Sequence, residues 1–183
     1  MPILKKYLSF ALFLACWILI SACTPTLNWR DVRFEGAMPA SQASQLNAVL
    51  PCKPDRATRE QTVGGQKVQL SMMGCVANDV AFTLSRIPLS DPLSAPKVLA
   101  AWQAAAAANV KATPTPTKPF NVAGAGAWPP AAHVTLAGAA TQAQMLWFAK
   151  QSSSGLTLYQ AAVYGKELNS EAMDAFFESL KLL

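Results

Sequence analysis

The stretch that most limits how this chain can fold runs from Cys52 to Cys75. Two cysteines bracket it, and Gly64-Gly65 sits near its midpoint. A glycine pair there turns the chain and lays the two arms side by side as antiparallel strands. The second arm carries strand patterning of its own. Val68, Leu70 and Met72 alternate with Gln69, Ser71 and Met73, the period of a half-buried strand. After Ala77-Asn78-Asp79 the alternation resumes, with Val80, Phe82 and Leu84 against Ala81, Thr83 and Ser85. With Ala77 to Asp79 as a three-residue loop, Val76 pairs with Val80 and Met72 with Leu84, and both apolar sets fall on one face. In an oxidising compartment the two cysteines read as a disulfide. Closing the loop between them stabilises by about 3 kcal/mol through chain entropy.

The compartment is read at the amino terminus. Lys5 and Lys6 precede an uncharged run from Tyr7 to Ile20, and Ser21-Ala22-Cys23 follows. This is the layout of a secretory signal peptide. The run of about 14 residues makes roughly 21 Å of helix. A hydrocarbon core of about 30 Å calls for about 20 residues, so the run is too short for a permanent span. Ile20-Ser21-Ala22-Cys23 resembles the bacterial lipobox, an aliphatic residue and two small ones before the cysteine that receives diacylglycerol. The resemblance implies cleavage before Cys23 and a lipid anchor on Cys23 itself; an uncleaved apolar anchor is the competing reading. Residues 1–22 then form the signal peptide, 23–44 a tether, and 45–183 a single globular domain. Under the sorting rule that goes with the resemblance, Thr24 in place of aspartate implies the outer membrane, with the domain facing the periplasm. Cys16 leaves with the signal peptide, so Cys52 and Cys75 remain as a pair. Two thiols holding a metal would need more ligands than their surroundings supply.

Removal of Lys5 and Lys6 takes 15 basic residues to 13 against 10 acidic ones, and the net charge from +5 to +3. These charges are scattered, without the runs of Lys and Arg interleaved with aromatics that nucleic-acid binding shows. Nucleic acid is therefore not an expected partner.

Thr24 to Ser44 has little periodicity and holds Pro25, Gly36 and Pro39, with a short strand around Trp29 to Phe34. Leu46 to Leu50 begins the folded part. Ser94-Ala95-Pro96 reads as a helix start, and the alanine-rich run to Asn109 as its body. Val98, Trp102, Ala105 and Asn109 form its inward stripe. Thr113 to Pro119 cannot be helix because proline lacks the donor and restrains its predecessor. A strand meander follows over Phe120 to Val122, Ala131 to Ala137, Gln142 to Lys150 and Leu156 to Tyr164. Both phases of the third are apolar, as in a central strand covered on two sides, and Tyr159 and Tyr164 fall on opposite faces of the last. A final helix runs from Ser170 to Leu180, capped by Asn169 or Ser170, with Met173, Phe176, Phe177 and Leu180 on one stripe. The expected class is α+β, a mainly antiparallel sheet of about five to seven strands with two helices packed on it.

Four segments carry a second resemblance: Leu50-Pro51-Cys52-Lys53-Pro54, the strand pair from Val68 to Leu84, Leu158-Tyr159-Gln160 followed by Val163, and Phe176-Phe177-Glu178-Ser179-Leu180. From Leu50 to Leu183 the chain is similar to small bacterial proteins with a PsbP-like α/β/α sandwich. Cys52 stands where that group usually has glycine. The resemblance implies an antiparallel sheet between helices and little about function, since members of the group serve as accessory or assembly factors and many have no known role.

The residues that carry chemistry are sparse. No Gly-x-Ser-x-Gly elbow appears, and the acidic residues are isolated rather than paired for acid and base work. His133, the one histidine, lies on an expected strand and reads as a packing residue. Gly124-Ala125-Gly126-Ala127 lacks the lysine and helix of a phosphate loop, so it reads as a turn. Met72-Met73 with Cys75 and His133 would suit copper, but at least one of these methionines belongs in a core. The expectation is a non-catalytic envelope lipoprotein without cofactor or metal. Its partners would be the membrane, through Cys23, and an unidentified protein. The alternative is a small-ligand carrier or enzyme whose site the sequence does not display. A deep apolar pocket with converging polar groups would favour that alternative, and a flat exposed apolar patch the first reading.

Overall fold

The computed structural model describes residues 27–35, 45–153 and 155–183. The signal-peptide assignment, Cys23 and most of the expected tether lie outside these residues.

Gly64 (φ +58°) and Gly65 (φ +78°) form the turn between β3 (Asp55–Val63) and β4 (Gln66–Ala77). Positive φ at both central positions is the type I′ turn, whose twist matches that of the strands it joins. The same geometry recurs at Asn78 (φ 50°) and Asp79 (φ 60°), between β4 and β5 (Val80–Leu89). This loop has two residues rather than the three expected, because asparagine and aspartate tolerate the left-handed region. The register moves with it: Ala77 faces Val80 and Met73 faces Leu84, not Val76 with Val80 or Met72 with Leu84. A slip of one residue exchanges the faces of a strand. Val68, Leu70 and Met72 therefore lie on one side of the sheet, and Val80, Phe82 and Leu84 on the other.

β6 (Pro114–Pro119), β7 (Ala132–Ala137), β8 (Gln142–Ser152) and β9 (Gly155–Gly165) complete a seven-stranded sheet in the order β3-β4-β5-β9-β8-β7-β6. Every pairing in it is antiparallel. Both edges resist further pairing. β3 exposes Arg56, Arg59 and Glu60, and β6 carries three prolines, which an edge strand accommodates and an interior one does not. β8 and β9 are buried on both faces, with Tyr159 and Tyr164 on opposite sides.

One face is crossed by α1 (Ala95–Val110), which buries Ala95, Val98, Leu99, Trp102, Ala106 and Val110. The inward stripe thus passes through Ala106 and Val110, while Ala105 and Asn109 face solvent. Ser94 makes no side-chain cap. Asp91 instead accepts from the Leu93 N–H (3.0 Å) at the head of a 3₁₀ turn, Pro92–Ser94, that leads into the helix.

The other face is covered by α2 (Ser170–Glu178) and a three-stranded sheet, β1 (Arg30–Phe34), β2 (Leu46–Leu50) and β10 (Lys181–Leu182), with β2 in the middle. Asn169 caps α2, its Oδ1 accepting from the Ala172 N–H at 2.9 Å. The helix stops at Glu178, two residues earlier than expected, yet Phe176, Phe177 and Leu180 are all buried. Phe120 to Val122 is not a strand; Val122 is buried in the core, and Ala123 bridges to Lys181. β10 was not expected. The class is α+β, in three layers: α1, the seven-stranded sheet, then α2 with the small sheet.

Candidate functional site

Cys52 and Cys75 are joined by a disulfide, with Cα atoms 5.9 Å apart. The bridge ties the segment after β2 to the last turn of strand β4, beside Phe82, the register partner of Cys75. The start of the described chain docks at the same place. Leu27 packs on the core, and the Asn28 N–H donates to the Pro51 carbonyl at 2.8 Å. The Trp29 ring meets Phe82 edge-on, 6.5 Å between centroids. The expected tether is thus part of the fold from Leu27 to Glu35, with β1 close to where a short strand was anticipated.

A cleft of about 530 Å³ adjoins the bridge, lined by Cys52, Lys53, Arg56, Met72, Gly74 and Val76 among others. The path of α1 explains it. A Cβ on Gly64 would come within 2.8 Å of the Lys97 carbonyl oxygen, and one on Gly138 within 2.2 Å of that of Val110. The helix therefore starts over the β3–β4 turn and ends over the β7–β8 turn, crossing the sheet diagonally. The corner where β4 meets β5 is left bare, and Val76 there is 67% exposed.

His133 lies on β7 between two rings, 4.8 Å from Phe120 and 4.7 Å from Phe177, both edge-on. Its Nδ1 is buried without a hydrogen-bond partner. Burial holds the imidazole below its ordinary 6.5, outweighing the pull of the Asp174 carboxylate of α2 the other way. The fold therefore supplies a carboxylate that sequence proximity did not show. A neutral ring between two aromatic edges is a packing arrangement.

The imagined copper ligands are not brought together. Met72 and Met73 point to opposite faces, Cys75 is in the disulfide, and His133 sits on β7, with β5, β9 and β8 between it and β4. Among the described residues, no three of His, Cys, Asp and Glu converge as a metal site. No helix among them is long and apolar enough to cross a membrane.

Sequence reasoning missed Arg86. It lies on β5 at 4% exposure, in register with Ser71 and Tyr159, and its Nε and Nη1 are buried without hydrogen-bond partners. A buried guanidinium with unmatched donors costs several kcal/mol, roughly, against solvation. The available signal was one charge inside the apolar alternation from Leu84 to Leu89.

No protein-family model matches the chain, and no curated protein matches it. Among solved structures it is similar to LpqN of Mycobacterium tuberculosis, described as involved in cell envelope biogenesis. The identity is 11%, over 85% of this chain and 91% of LpqN, with a TM-score of 0.42. That likeness is too slight to transfer a fold or a role.

Proposed function

We propose that this protein is a lipid-anchored, non-catalytic accessory module of a bacterial envelope, held through Cys23 and facing the periplasm, with the outer membrane as its site. The observation that carries the reading is the Cys52–Cys75 disulfide. Such bridges persist in oxidising compartments, where a leader ending in Ile20-Ser21-Ala22-Cys23 delivers a chain.

The test is metabolic labelling with palmitate. Label should enter the protein, and Cys23→Ser should abolish it; equal labelling of the two would sink the anchor.

The cleft beside the disulfide favours a second reading, a carrier of a small apolar ligand. Its volume lies within the roughly 300–1,000 Å³ of ligand sites. Native mass spectrometry of the purified periplasmic domain separates the two, because a co-purifying ligand lost on Met72→Trp would establish the carrier.

A further inference from the structure

We infer that the end of the molecule bearing the Cys52–Cys75 bridge faces the membrane, with Trp29 and Val76 turned towards the headgroup layer of the bilayer that holds the anchor. This rests on the lipid-anchored reading above and gives it an orientation.

The argument is one of reach. Leu27, Asn28 and Trp29 are fastened to the core, to the Pro51 carbonyl and to Phe82. Only Thr24, Pro25 and Thr26 separate Leu27 from Cys23. Four residue steps span at most about 14 Å. The fold is much taller than that. β5 runs from Val80, at the bridge end, to Leu89 at the other, and its ten residues rise roughly 30 Å. The opposite end therefore lies beyond the reach of the anchor, and the bridge end lies beside the lipid. An uncleaved apolar run ending at Ile20 would allow about 25 Å, and the same end would still be the near one.

The surface at this end fits the position. Trp29 is 37% exposed beyond its contact with Phe82, and Val76 is 67% exposed. Tryptophan settles at headgroup depth, where its apolar ring and its N–H are both accommodated. The charges around them balance. Arg30, Lys53, Arg56 and Lys166 stand among Asp31, Asp55, Asp79 and Glu167, all exposed. Anionic lipid thus neither repels nor captures this end, and the short tether sets the apposition. The cleft lined by Cys52, Met72 and Val76 lies on the membrane side of the protein.

The experiment uses the full chain, processed in a bacterial host and reconstituted into phosphatidylethanolamine–phosphatidylglycerol vesicles. Flotation with the vesicles comes first. Failure to float, with no palmitate on Cys23, defeats the anchored reading and this orientation with it. In floating protein, fluorophores are placed at Lys166→Cys, next to the end of β9 at the bridge end, and at Leu93→Cys, 90% exposed at the far end. A nitroxide on the lipid headgroup should quench the first label several-fold more than the second. Equal quenching, or stronger quenching at position 93, overturns the orientation while leaving the anchor intact. Brominated acyl chains should also quench part of the tryptophan emission, and Trp29→Phe should remove that part. Unchanged quenching in Trp29→Phe would take Trp29 out of the interface.

Discussion

On one face of the seven-stranded sheet, aromatic rings interlock: Phe82 meets Phe176 edge-on at 5.6 Å, Phe176 meets Phe177 at 5.1 Å, and Phe148 stacks on Tyr159 at 5.4 Å. On the other, a 16-residue helix, half of it alanine, lies across the strands with Trp102 as its one large anchor. Aromatic pairs add about 0.5–1.5 kcal/mol each beyond the area they bury, and large rings fill a wide gap between layers. Alanine contributes helix propensity and little volume, so α1 covers a diagonal band and leaves the Met72–Val76 corner open. The aromatic face is where both ends of the described chain are fastened, through Leu27 and Leu182. The alanine face is where surface is spared. Stability and availability for contact are thus assigned to opposite sides of one sheet.

That contrast predicts unequal costs. Phe176→Ala should lower stability by about 3–5 kcal/mol, and Leu99→Ala on α1 by about 2–3 kcal/mol, read from urea unfolding of the chain from Leu27 onward. Equal losses would break the comparison. Replacing Cys52 and Cys75 together by serine should cost about 3 kcal/mol, and thiol labelling of the denatured, unreduced wild type should find neither cysteine free. Two free thiols in protein purified without reductant would remove the bridge from the account.

His133 sharpens the aromatic side through pH. Its folded pKa lies below 6.5 because burial disfavours the charged ring. The folded state therefore binds fewer protons than the unfolded state between the two values, and stability rises with pH there. The expected profile is flat above about pH 7 and declines as pH falls through 6.5 towards the folded value. His133→Phe should flatten that decline in melting curves, and His133→Ala should leave the cellular role intact. An activity lost in His133→Ala at unchanged melting temperature would make His133 the centre of a site. The smallest effect is expected at the open corner, where Val76→Ser should change stability by less than about 0.5 kcal/mol. A larger loss would mean that the corner is structural after all.

Much of the architecture could be read from residues whose neighbourhood leaves one solution. The glycine pair fixes the β3–β4 turn, the two-phase apolar run of β8 demands cover on both faces, and the stripe of α2 has large side chains to mark it. The β4–β5 register was not legible, because interior strands bury both phases. Met73 is as inward as Leu70, and Ser85, Arg86 and Ile87 are all buried, so alternation selects no face. The turn decided it, through two residues whose positive φ is an option rather than a requirement. Alanine likewise hides orientation, since nothing in composition separates Ala105 from Ala106. At the candidate site, the disulfide followed from spacing and compartment. The cleft depends on where α1 happens to cross and has no periodic trace, and Arg86 leaves only a single charge within the alternation, which does not by itself reveal its burial.

The small sheet has a consequence in time. β2 receives β10 at Lys181 and Leu182, the Val49 N–H donates to Ser179 Oγ at 2.9 Å, and the Leu183 N–H to the Gln45 carbonyl at 2.9 Å. These contacts join residues far apart in the chain, and such closures form late because the intervening loop must be ordered first. During synthesis β1 and β2 emerge early, and the apolar underside of Val32, Phe34 and Leu46 stays uncovered until the strands of the large sheet and then α2 follow. The first strands to be made thus wait for the last residues of the chain before their sheet is complete.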